Sequence, residues 1–179
     1  MRHIDRKQDS WPILFFFILS SFMVLGMVGI GGLTRLTGSG LSIIEWRPVT
    51  GAIPPLNEAE WLIEFVKYQS SPEYLKINYG MDLESFKRIY LLEYLHRNAA
   101  RFMGLFFLLI GSTLIYCGNM SRSSKLTTIF CWILILMQAF MGWYMVKSGL
   151  ASAPYVSHFR LSAHLFLALI LYIVTLNQA

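Results

Sequence analysis

Glu93 is the only acidic residue in the four spans expected of this 179-residue chain, and it stands three positions before His96 and four before Arg97. Residues three and four apart share a helix face, so Glu93 and His96 look the same way and Arg97 can pair with the carboxylate. A second histidine, His164, lies in the last apolar stretch, one turn after Arg160. Ionisable groups inside an apolar segment are costly, which makes them functional candidates by default. His96 is expected about seven residues into its helix and His164 about six into its own, roughly 10 Å and 9 Å at 1.5 Å per residue. The two imidazoles then sit at matching depth on helices that run in the same direction. Such a pair suits the two axial positions of a heme iron. Arg97, Arg101 and Arg160 lie near that level and suit propionates, which need cationic partners where the dielectric is low. Two other readings stay open from spacing alone. The histidines could make interhelical polar contacts, or Glu-x-x-His could belong to a divalent-metal site. A ferritin-like site needs four carboxylates, and only Glu93 is available.

The elements that must position these residues are membrane spans. The chain is 55% hydrophobic and 14% charged, well below the roughly 25% charged residues of a soluble domain. Ser10–Thr34, Phe102–Ser121, Leu126–Val146 and Leu161–Ala179 contain no Asp, Glu, Lys or Arg. Each is near the roughly 20 residues needed to cross a hydrocarbon core. None carries the polar stripe of a water-soluble bundle helix. The first is longer than a signal-peptide core and has no clean small-x-small cleavage site, so it reads as a retained helix. The fold class expected is all-α and integral to the membrane: a four-transmembrane-helix bundle with a long outer loop containing short interfacial helices. Its spans fall at about 11–33, 89–118, 126–146 and 158–177 by the length rule, after a cytoplasmic tail at 1–10.

Short basic loops set orientation. The N-terminal tail, with Arg2, Arg6 and Lys7, and the loop with Arg122 and Lys125 lie on one side, the cytoplasm. The long loop, about 34–88, then faces the opposite compartment. In it Asn57 is a candidate N-cap for a helix through about Gln69, and a second short helix is expected from Asp82 into the second span. Its aromatics, Trp61, Phe65 and Tyr68 among them, suit a cap on the membrane interface.

Other features have plain readings. Cys117 and Cys131 form no metal-binding spacing and read as small apolar side chains. Gly26, Gly29, Gly31 and Gly32 read as a close-packing surface rather than a phosphate loop, since no strand precedes them. His158 sits at the membrane boundary on a different face from His164, and His3 is in the tail. The net charge of +5 is spread without a basic block, which excludes nucleic acid as a partner.

Several runs together resemble the heme A synthase family, in its alphaproteobacterial and mitochondrial form. They are Gly31-Gly-Leu-Thr-Arg-Leu-Thr-Gly-Ser-Gly-Leu-Ser (31–42), Glu45-Trp-Arg-Pro-Val-Thr-Gly (45–51), Pro54-Pro-Leu and Pro72-Glu-Tyr. Glu93-Tyr-Leu-His-Arg (93–97), Gly142-Trp-Tyr-Met-Val-Lys-Ser-Gly-Leu (142–150) and Arg160-Leu-Ser-Ala-His-Leu (160–165) complete the set. The resemblance implies an inner (plasma) membrane oxidoreductase that converts the C8 methyl of heme O to a formyl group, giving heme A for terminal oxidases. It implies two four-helix bundles, the first for substrate heme and the second for a heme b cofactor. Carried over, His96 and His164 are the paired histidines of the substrate bundle, and Glu93 is the essential carboxylate near the reacting methyl. The chain carries the first bundle only, so a second-half polypeptide or a truncated remnant is expected rather than a self-sufficient homodimer. The outer loop also lacks the cysteine pair of some family forms. Two other functions are compatible with the residues: a b-type bis-histidine electron carrier, and a non-catalytic heme-binding or oxidase-assembly protein. Glu93 beside a ligand argues against the carrier, which has no need of a buried carboxylate.

Overall fold

A computed structural model describes residues 9–117, 120–151 and 154–179; the basic tail and His3 lie outside the described residues. The regular elements are α1 (Trp11–Leu36), a 3-10 turn (Thr50–Ala52), α2 (Glu58–Gln69), α3 (Pro72–Lys76), α4 (Leu83–Tyr116), α5 (Arg122–Ala151) and α6 (His158–Gln178). Among the described residues no strand occurs. Helices α1, α4, α5 and α6 are each long and apolar enough to cross a membrane.

Helix α1 starts after Ser10 with Pro12 in its first turn, where a proline costs no hydrogen bond. It buries Ile13, Phe16, Phe17, Ser20, Ser21 and Val24, a stripe at helical spacing. Its end is a Schellman turn. Gly38 adopts φ +66°, and the Gly38 and Ser39 amides donate back to Arg35 O (3.3 Å) and Thr34 O (3.0 Å), as a left-handed glycine allows. The expected close-packing role of the glycine run is not what the structure shows. A Cβ built at Gly26, Gly29 or Gly32 meets nothing within 4 Å, and Gly31 alone abuts a neighbouring side chain, His96.

Residues 37–82 form a cap over one end of the bundle. Asn57 caps α2 by accepting from the Glu60 amide at 3.0 Å, and Glu60 reciprocates through the Asn57 side chain and the Leu56 amide, a capping-box arrangement. Ser71 caps α3, and Asp82 caps α4. Phe65, Tyr68 and Tyr74 pack on Phe86 and Tyr90 of α4, with Tyr68 and Phe86 stacked at 5.1 Å. The 34 residues of α4 span about 51 Å, more than the roughly 30 Å hydrocarbon core. Its first turns therefore belong to the cap. The buried Glu73 carboxyl accepts from Tyr68 Oη at 3.1 Å. Burial pushes it up to about 7, and burial also raises the Tyr68 hydroxyl.

In the bundle, α1 packs on α4 and α6, and α5 packs on α4 and α6. The helices thus form a ring in the order α1, α4, α5, α6, with α4 and α6 on one diagonal. The half away from the cap is a solid core of Ile13, Phe16, Phe17, Phe107, Cys131 and Leu171. A Cβ at Gly111 of α4 would lie 2.9 Å from Thr128 Cγ2 of α5, so only glycine permits this approach. Ser21 donates to Thr175 Oγ1 at 3.1 Å, which ties α1 to α6. At the same end, Asp9 accepts from the Ser121 amide at 2.7 Å and from the Ser121 and Ser124 hydroxyls. This joins the start of α1 to the start of α5.

Candidate functional site

Glu93 lies on α4 just below the cap and is 2% exposed. Its Oε2 accepts from the Ser42 amide (2.8 Å), the Ser42 hydroxyl (2.7 Å) and the Ile43 amide (3.0 Å). Its Oε1 accepts from Arg97, the pairing that the four-residue spacing predicts. Arg97 also donates to Ile43 O at 3.2 Å. Oε2 is therefore saturated, while Oε1 has a single donor, and the carboxylate anchors the chain at 42–43 to α4. Four donors hold the side chain firmly in place. Ser42 and Ile43 were not legible as partners, since fifty residues separate them from Glu93 and no pattern links them.

The two histidines occupy opposite corners of the helix ring. His96, on α4, points its Nε2 toward α1, where a Cβ on Gly31 would stand 3.5 Å away. His164, on α6, lies against α5, where a Cβ on Gly142 would stand 3.5 Å from Cε1 and 4.0 Å from Nε2. Each imidazole edge thus faces a helix surface stripped of side chain. His164 Nδ1 is buried and has no hydrogen-bond partner among the described residues. A buried polar group without a partner costs free energy, and in a ligand histidine the ring NH ordinarily has a job. Among the described residues no cluster of three His, Cys, Asp or Glu side chains could hold a metal ion, which removes support from the ferritin-like alternative.

The three arginines fare differently. Arg101 is committed to the cap: its Nε donates to Pro48 O (2.9 Å), and its terminal nitrogens donate to Arg47 O (2.9 Å) and Asn98 Oδ1 (2.8 Å). Arg97 is held by Glu93 and Ile43. Arg160 stacks over the Tyr144 ring at 4.7 Å and has no carboxylate partner among the described residues. Lys147, not singled out from the sequence, lies over the Trp143 ring at 5.0 Å. It borders an open groove of about 370 Å³ between the cap and α5, with Arg97 on its other rim and Ile43, Ile44, Trp46 and Val146 in its walls. The groove is mainly apolar with a cationic edge. His158 is exposed at the first turn of α6 and joins neither histidine.

The residues present fit a heme. They offer two neutral-capable imidazoles on diagonal helices, glycine clearance at each, an apolar interior and cations toward the cap.

Comparisons with known proteins show the family. Residues 15–179 match the family described as cytochrome oxidase assembly protein. A protein named heme A synthase from Wolbachia pipientis wMel is 51% identical over 167 residues, which cover 92% of this chain and 47% of that protein. Its namesake from the Wolbachia of Brugia malayi is 49% identical over 172 residues, 94% of this chain and 50% of its own length. One from Rickettsia felis is 49% identical over 160 residues, 89% and 48% respectively. The chain spans about half the length of these curated relatives. No solved structure matches.

Proposed function

Because the chain belongs to the cytochrome oxidase assembly protein family, we propose that its bundle is the substrate-heme half of a heme A synthase, in which the C8 methyl of heme O becomes a formyl group. The observation that carries this reading is the pair of glycine-backed imidazoles on diagonal helices, one with an unpartnered buried nitrogen. The names and identities of the relatives support the chemistry.

His96 and His164 hold the heme iron from opposite corners of the ring. When bound, the heme supplies both the iron centre and the methyl that is oxidised. Taking the methyl to a formyl group with water as the oxygen source releases four protons and four electrons, the electrons passing to an acceptor outside this bundle, and Glu93 is the carboxylate placed to accept a proton or to orient that water. Oε1, which has a single donor, is the oxygen that does so, while Oε2 keeps the cap segment in place. Arg160 and Lys147 face the propionates, with Arg97 on the groove rim, and Arg101 holds the cap turn that covers the site. The heme b site belongs to the portion of the relatives that this chain does not span, supplied by a second polypeptide or further sequence. The bundle sits in the inner membrane with the Arg122–Lys125 end in the cytoplasm and the cap outside.

The test uses membranes from a host that makes heme O but not heme A. Expression together with the second half yields heme A in the extract, and expression of the chain alone yields bound heme O. Glu93→Gln abolishes formyl product while heme stays bound; unchanged turnover in that variant refutes the assigned role. Absence of heme from the purified wild-type chain refutes the site.

A further inference from the structure

Gln138 is the one amide in the middle of the charge-free stretch of α5. Its Oε1 is buried and has no hydrogen-bond partner among the described residues. An unpaired carbonyl inside a membrane bundle is costly, because neither lipid nor solvent satisfies it. Its position is specific. Seven residues before it is Cys131, fully buried, and eleven after it is Gly149, also buried. Gln138 therefore lies on the inward stripe of α5. A Cβ built on Gly104 of α4 would stand 3.9 Å from Ile135, three residues before Gln138, and Gly142, four residues after it, faces His164 of α6. Gln138 thus faces the space between the two diagonal helices, about 6 Å farther from the cap than Gly142.

Among the described residues, the cations near the site lie the other way. Arg160 is one turn capward of His164, Lys147 is more than one turn capward of Gly142, and Arg97 borders the groove beneath the cap. A porphyrin of the heme O type carries its two carboxylates on one edge. The opposite edge bears a long alkyl substituent with a hydroxyl group, and this hydroxyl is absent from protoheme. Carboxylates drawn to the capward cations turn the hydroxyl-bearing edge toward Gln138.

We propose that Gln138 is the polar contact at the inner end of the site that accepts a hydrogen bond from this substrate hydroxyl, and so selects heme O over protoheme. The proposal rests on the heme O reading above. The carbonyl Oε1 has no partner among the described residues, so the bond forms without displacing one. A site built to hydrogen-bond a hydroxyl discriminates strongly against an analogue that lacks it.

The experiment titrates the purified chain in lipid nanodiscs with heme O and with protoheme, reading the low-spin bis-imidazole absorption spectrum. In Gln138→Leu, heme O affinity falls about tenfold, the worth of one buried hydrogen bond, while protoheme affinity is unchanged. Retained protoheme binding shows that the variant is folded with both histidines in place. Gln138→Asn, which keeps the amide on a shorter arm, recovers part of the preference. Equal affinity changes for the two pigments, or none, overturn the proposal and leave the histidine assignment standing. A wild-type chain that gives no low-spin spectrum with either pigment overturns both, and the missing spectrum tells that failure from lost selectivity.

Discussion

Gly31 and Gly142 are separated by more than a hundred residues, yet each answers the same need beside an imidazole. A methyl at Gly31 would rest 3.5 Å from His96 Nε2, an ordinary van der Waals contact. Gly31→Ala should therefore leave the ligand-free bundle as stable as the wild type. It fills the space in front of the nitrogen proposed to take iron, so heme affinity should fall at least tenfold. Paired thermal melts and heme titrations check this, and an unchanged titration sinks the assigned approach of the heme. Glu93 shows how far a residue's role can be read ahead of the fold. Its pairing with Arg97 follows from helical spacing alone. Its three donors from Ser42 and Ile43 do not, because the chain returns to α4 through a cap whose path is set by tertiary packing. Arg101 is the converse case: position suggested a propionate partner, but the carbonyls of Arg47 and Pro48 engage it.

At the scale of elements, the cap carries its own pH sensitivity. Glu73 is buried with Tyr68 as partner, and its carboxyl is raised from 4.5 to about 7. The folded cap thus binds a proton that the unfolded chain releases near 4.5. Stability is greatest below that value, falls as pH rises through the window to 7, and stays low above it. Glu73→Gln should match the wild type near pH 4.5 and be more stable above pH 7, by at most about 3 kcal/mol. Amide exchange across α2 and α3 at the two pH values reads this directly; a pH-independent difference would point to packing instead. The seam between α4 and α5 makes a second demand. Gly111→Ala drives a methyl into Thr128 Cγ2 and should cost about 1–3 kcal/mol. Thr128→Ser removes that methyl and keeps the hydroxyl on Ser124 O, so the double variant should recover most of the loss in thermal melts. The helices themselves were legible, because charge-free runs and the caps at Asn57 and Asp82 are local signals. The Gly111 contact was not, since a glycine in an apolar run carries no mark of what faces it.

For the whole molecule, the ring order of the helices converts four separately readable spans into one site. Equal depth of His96 and His164 is an expectation from counting residues, whereas the diagonal placement of their helices depends on which helices are neighbours, and periodicity does not encode that. The proposed orientation is checked through Cys117, which is exposed at the end away from the cap, whereas Cys131 is buried. A membrane-impermeant maleimide should label Cys117 in inside-out vesicles and not in intact cells; the opposite pattern reverses the topology.

The hydrogen bond between Ser21 and Thr175 spans 154 positions of sequence, and this has a consequence for biosynthesis. A ribosome delivers α1 long before α6, so the seam that closes the ring forms only after α6 has left the translocon. Until then His96 has no counterpart across the diagonal, and Gly31 faces lipid or the insertion machinery. Under the proposed reading, capture of the pigment then waits until α6 is in place, and a nascent chain stalled ahead of α6 presents His96 without His164.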